Sequence, residues 1–155
     1  MNSSDNTQGV FNSVFETSLR ILIILNESDS GLSVDKIMAV DFTAIYGKDF
    51  GISDYNLHGN SLFRYGEFPA RRDLTTQAVK QLVLRGLIKP NCLVSGFTYS
   101  ISNSGKKFVK ALTSNYSKAY KILCRHSLNF YNSRDDKQVL DILNSYAKTF
   151  TKAGI

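Results

Sequence analysis

The stretch Leu82-Val83-Leu84-Arg85-Gly86-Leu87-Ile88-Lys89-Pro90-Asn91-Cys92-Leu93-Val94-Ser95-Gly96-Phe97-Thr98-Tyr99-Ser100-Ile101 decides the fold. Its first residues end a helix predicted over 69–85, which Pro69 opens because its fixed φ suits a first helical turn. Leu74, Ala78, Val79, Leu82 and Val83 recur at helical spacing and form an apolar stripe, and Gly86 is placed to stop the helix. Residues 87–93 and 97–101 then read as two short strands. Val94-Ser95-Gly96 joins them, with glycine where a tight turn needs a positive φ.

Upstream lie two more helices. The first is predicted over 13–26, with Ser13 and Glu16 at capping-box spacing. Only Glu16 and Arg20 are clearly polar among Val14, Phe15, Leu19 and the run Ile21 to Leu25, so most of its circumference should be buried. Ser33 caps the second, whose residues Val34, Ile37, Met38, Ala39 and Phe42 share a face that continues to Tyr46. Two helices, a third, a glycine stop, a strand, a turn and a strand follow the order of a winged helix-turn-helix domain. The expected class is therefore mainly α with a small β-hairpin (α+β).

Downstream, Ser102 to Gly105 initiates a fourth helix carrying Phe108, Val109, Ala111 and Leu112. A fifth begins at Thr113 or Ser114, with Tyr116, Ala119, Tyr120, Leu123 and Phe130 on one side. Ser133 is expected to cap a sixth. There Asp135 and Asp136 meet the positive end of the helix dipole, Lys148 and Lys152 the negative end, and Val139, Ile142, Leu143, Tyr146 and Phe150 form a stripe. The expected organisation is a flexible N-terminus over 1–10, a winged-helix domain over 11–112, and a helical extension over 113–155 packed on that domain or on a partner.

Residues 47–66 interrupt the helical pattern with four glycines and scattered Asp, Asn and Ser. They read as a long loop, and loops beyond about 12 to 15 residues in compact domains are usually functional. Ile52, Tyr55, Leu57, Leu62, Phe63 and Tyr65 are too many large apolar groups for a solvated linker. The loop must pack, either on its own domain or on another chain.

The chain has 155 residues, 43% of them hydrophobic, which is enough for one core and too apolar for a disordered chain. Its longest apolar run, residues 21–25, is far short of the roughly 18 residues of a membrane helix. The Asn/Ser/Asp-rich start over 1–9 does not read as a signal peptide. Two lone cysteines, Cys92 and Cys124, suit a reducing cytoplasm, and together with His58 and His126 they lack zinc-site spacing. No metal and no cofactor is expected.

Charge divides unevenly along the chain. Residues 1–63 carry three basic and eight acidic side chains; residues 64–155 carry sixteen and five. Between Asp73 and Asp135 there are ten Lys or Arg and no acid. A one-signed stretch of this kind attracts polyanions by releasing their counterions, and it equally suits a solvated face or an acidic partner. The exposed side of the 69–85 helix offers Asp73, Thr76, Gln77 and Lys80, too few cations and amides for reading base edges. Lys89 beside the hairpin, with Lys106, Lys107, Lys110 and Lys80, instead suits nonspecific contact with the backbone of double-stranded DNA.

Catalytic motifs are missing from the sequence. There is no phosphate-binding GxxxxGK[ST] and no GxGxxG after a strand. His58 has Asp54 and Ser61 nearby in sequence, but a triad needs a rigid orienter and an oxyanion hole, so His58 reads as a structural or interface residue.

Several of these residues carry a resemblance. Phe11-Asn12-Ser13, Glu16-Thr17, the run 19–25, Ile37 with Asp41-Phe42, Leu57-His58, the cluster Arg64, Gly66 and Glu67 before Arg71-Arg72, and the helix end over 82–88 look like the middle components of bacterial ABC-three-component systems. The resemblance spans about residues 11–110. Tyr46 departs from the family's histidine, and Gly59 from the proline that usually follows the Leu-His pair. The resemblance implies a winged-helix accessory subunit of an SMC-like ABC ATPase complex of the Lamassu type, linking DNA sensing to an effector nuclease in antiphage or anti-plasmid defence. Its partner-binding candidates are Tyr55, Leu57, His58, Phe63, Arg64, Tyr65, Glu67, Arg71 and Arg72. The alternative from another class is a dimeric winged-helix transcriptional regulator, with enzyme activity a distant third.

Overall fold

The computed structural model describes residues 13–60 and 68–153. Six helices and one two-stranded antiparallel sheet follow in the order α1 (Val14–Glu27), α2 (Val34–Ile45), α3 (Phe68–Leu84), β1 (Ile88–Leu93), β2 (Gly96–Ile101), α4 (Asn103–Lys110), α5 (Asn115–Phe130) and α6 (Asp136–Ala153). The chain is thus mainly helical with a small hairpin, the α+β class expected from sequence.

Serine starts four of the helices by the same chemistry. Ser13, Ser33, Ser102 and Ser114 sit in extended backbone, and each hydroxyl accepts a first-turn amide, from Glu16, Lys36, Gly105 and Ser117. The sixth helix departs from expectation. Ser133 does not cap it but holds a left-handed φ of 64° in the preceding turn. Asp135 is the cap: its carboxylate accepts the Gln138 amide at 2.8 Å while the Gln138 side chain accepts the Asp135 amide at 2.9 Å. This reciprocal pair satisfies two orphan donors at once, which a lone serine does not.

Gly86, at φ 73°, turns the chain from α3 into the hairpin. The strands pair from Ile88 with Ile101 out to Leu93 with Gly96, leaving Val94 and Ser95 as the turn. A bridge outside the hairpin joins Leu32, between α1 and α2, to Tyr99 of β2 through reciprocal bonds of 3.0 and 2.8 Å. Gly105 of α4 fits against the backbone where the hairpin starts. A Cβ there would lie 2.2 Å from the Leu87 carbonyl oxygen and 2.7 Å from Ile101, so only glycine lets α4 seat on the sheet.

One hydrophobic core contains residues of all six helices and β1. Ile21 to Leu25 of α1 are all buried, and α1 touches α2, α3, α4, α5 and β2, as a helix with almost no polar circumference requires. The stretch after α2 is not an open loop as far as residue 60. Tyr46 to Gly51 coil in turns, and Phe50 is buried, stacked on Tyr146 of α6 at 4.4 Å and edge-on to Phe42 and Phe130. The Leu57 amide bonds the Ile45 carbonyl at 2.8 Å, so residues 46–60 pack on the chain's own core.

Candidate functional site

The most polar part of the interior lies between α1, α2, α3 and α5. Arg20 projects from α1 and is 1% exposed, and Asp41 of α2 is 4% exposed. The Arg20 Nε donates to Asp41 Oδ1 at 2.9 Å and its Nη2 to Oδ2 at 3.4 Å, with Thr17 Oγ1 accepting a further bond at 3.3 Å. The Tyr120 hydroxyl of α5 donates to Asp41 Oδ1 at 2.6 Å. Arg71 of α3 approaches Oδ2 at 3.8 Å, its guanidinium over the rings of Phe42 and Tyr46. One carboxylate therefore gathers two guanidiniums and a phenol from three other helices.

Burial by itself would raise the Asp41 carboxyl. The charges of Arg20 and Arg71, with the hydrogen bonds from Tyr120 and Arg20, outweigh it and hold the group below the usual carboxylate range. Burial and the Asp41 charge push the Tyr120 phenol well above its ordinary value. The cluster is thus one carboxylate shared by two guanidiniums, with a neutral phenol, a tie between helices. Such a tie is stable only complete, since removing one partner leaves an uncompensated charge.

His58 extends this network to the outside. Its Nε2 is hydrogen-bonded to the Tyr116 hydroxyl of α5 at 2.6 Å, and the two rings stack at 5.9 Å. Burial, and next the Arg20 charge, push the imidazole down to about 3, while burial pushes Tyr116 up to about 12. Both groups are neutral near pH 7, and their bond fastens the 46–60 segment to α5.

The residues singled out from sequence fall into separate places. Arg71 is buried in the cluster, Leu57 and His58 are partly buried against α2 and α5, and Tyr55 is 47% exposed. Arg72 is exposed and pairs with Asp35 of α2 at 2.9 Å. Phe63, Arg64, Tyr65 and Glu67 lie outside the described residues, as does the end of the 47–66 loop. Lys80, Lys89, Lys106, Lys107 and Lys110 are all exposed, on α3, β1 and α4. His126 is exposed, whereas Cys124 is buried and its thiol pushed up by that burial. Among the described residues, no group of three or more His, Cys, Asp or Glu is placed to hold a metal ion, and no helix is long and apolar enough to cross a membrane.

A family model described as ABC-three component (ABC-3C) system Middle Component 2 matches residues 10–153. The chain belongs to that family. It is accordingly an accessory component of a multi-component system, with partners inside that system. No curated protein and no solved structure gives a significant match.

Sequence reading of this middle component missed the Arg20–Asp41 pair as a pair. The signal was present: a lone arginine among apolar residues on α1 and a lone aspartate between Val40 and Phe42 on α2. Opposite charges on two helices that must both be buried have to meet. Phe50 was missed for a different reason, since one aromatic between Asp49 and Gly51 has no periodicity to reveal it.

Proposed function

We propose that this middle component is a non-catalytic adaptor: a winged helix-turn-helix subunit that joins an SMC-like ABC ATPase to an effector nuclease in a Lamassu-type defence complex. In that role it links DNA sensing to control of the effector in antiphage or anti-plasmid defence, in the cytoplasm. The family match over residues 10–153 carries the reading.

The winged-helix assignment is supported by three helices leading into a hairpin and by the Leu32–Tyr99 bridge, a single antiparallel pairing on the outer side of β2. The adaptor role is supported by what the buried polar groups do. Arg20 and Tyr120 bond Asp41 while Arg71 adds its charge, and His58 and Tyr116 hold a segment in place.

In this reading Tyr55, Arg72 and the loop residues Phe63, Arg64, Tyr65 and Glu67 meet a partner, while Leu57, His58 and Arg71 act from within the fold. Lys89, Lys106, Lys107 and Lys110 contact phosphates of double-stranded DNA within the complex and read no sequence.

The test combines the purified chain with the ATPase and effector encoded beside it. Stable co-elution supports the adaptor. A discrete dimer that shifts its own promoter against excess competitor DNA, without the ATPase, overturns it in favour of a regulator. In the assembled complex, replacing Lys106, Lys107 and Lys110 by Glu should weaken DNA binding at low salt. It should also flatten the dependence of log affinity on log salt by about 0.9 per lost phosphate contact. Unchanged affinity removes DNA contact from the proposal.

A further inference from the structure

The hairpin has two different faces. Cross-strand pairing puts Pro90 opposite Tyr99 and Cys92 opposite Phe97 on one face, and Lys89, Asn91 and Leu93 opposite Ser100, Thr98 and Gly96 on the other. The second face is polar and self-contained, with the Asn91 amide donating to Ser100 at 2.9 Å and to Thr98 at 3.4 Å. The first face starts in the core at Ile88. Farther out it parts from α3 and leaves an open groove of about 390 Å³. From α3 the groove takes Val79, Val83 and Leu84; from the hairpin, Pro90, Phe97 and Tyr99.

This groove is apolar where the fold gives no reason for it to be. Leu84 is 86% exposed and Phe97 58% exposed, and the adjoining turn carries exposed Val94. Contiguous apolar surface of this kind marks an interface. The hairpin turn Leu93-Val94-Ser95 carries no cation, so it is ill suited to lie on phosphates.

Charge selects the occupant. Lys80 lines the groove, exposed Arg85 follows Leu84, and no acid occurs in residues 74–134. A second copy of this chain meeting the groove face to face would set Lys80 against the same basic surface, because a two-fold contact pairs a patch with itself. A segment with apolar anchors flanked by carboxylates fills the groove and neutralises its rim.

We infer that the groove between α3 and the hairpin docks an acidic amphipathic segment of another protein component of the system. This rests on the adaptor reading and divides its cations: Lys80 serves the protein partner, while Lys106, Lys107 and Lys110 stay with DNA.

The experiment uses the complex of the three purified components, with Leu84→Asp, Phe97→Asp and Lys80→Glu variants of this chain. Leu84 and Phe97 are exposed, so their variants should melt as the wild type does. Each is expected to lower assembly affinity at least tenfold, with the Lys80→Glu effect fading at high salt. A thiol-directed benzophenone on exposed Cys92, opposite Phe97 and distinct from buried Cys124, should crosslink to an Asp/Glu-rich amphipathic segment of the ATPase or effector. Crosslinks confined to DNA or to a second copy of this chain overturn the inference. So does wild-type affinity in the Leu84→Asp and Phe97→Asp complexes, an outcome that leaves the adaptor reading standing. Failure of the unmodified chain to assemble at all removes both.

Discussion

Two regions of this molecule handle charge in opposite ways. Between α1, α2, α3 and α5, Asp41 is shared by Arg20 and Arg71 and bonded by Tyr120, all buried. Around the hairpin and α4, Lys80, Lys89, Lys106, Lys107 and Lys110 are exposed, and among the described residues no carboxylate pairs with any of them. The first region spends its charges on the fold, because a buried ion without a partner is unaffordable. The second leaves charges of one sign in water, where they contribute little to stability and remain free to attract something else.

The comparison is most easily broken at Asp41. Replacing it by Asn keeps the shape and leaves two guanidiniums buried without a counter-charge, so denaturant unfolding should show a loss of about 3–5 kcal/mol. The triple change Arg20→Met, Arg71→Met and Asp41→Leu should recover much of that loss. If Asp41→Asn alone were nearly neutral, the cluster would not be the tie described above.

The seam between the two regions is Gly105. Ala there puts a methyl group against the Leu87 carbonyl, an atom of the backbone that has little room to move. A loss of about 2 kcal/mol is expected in thermal or denaturant unfolding, within the range for an overpacked core.

A further effect separates the regions by pH. With His58 held to about 3 in the fold and near 6.5 when unfolded, the unfolded chain binds more protons between those values. Its contribution to stability is therefore fully present above about 6.5 and falls as pH drops toward 3, by at most about 1.4 kcal/mol per pH unit. Denaturant midpoints measured from pH 7.5 to 4.5 should fall less steeply in His58→Gln than in wild type. Asp41, held low, adds a loss that begins only nearer pH 4, as the unfolded carboxyl starts to take up protons. The smallest effect belongs to the outer lysines. Replacing Lys106, Lys107 and Lys110 by Glu should change unfolding stability by no more than about 0.5 kcal/mol per site.

Local signals accounted for much of the architecture. Serine caps, the apolar periods of α1, α2 and α5, the Gly86 stop and the hairpin are decided within a few residues, by hydrogen-bond partners and allowed φ that neighbours supply. The sixth helix shows the limit, since Ser133 and Asp135 are both good caps by type, and only the Gln138 side chain reaching back selected Asp135.

By itself, then, the sequence determined helices, hairpin, family resemblance and a basic C-terminal half, because periodicity, capping and net charge are properties of short stretches. Tertiary structure alone decided that Arg20 and Arg71 turn inward onto Asp41, that Phe50 and His58 fasten the segment after α2, and that the hairpin leaves an apolar groove beside α3. Those outcomes depend on which distant side chains arrive at the same place. Burial makes a pairing compulsory there, and no local pattern records who the partner will be.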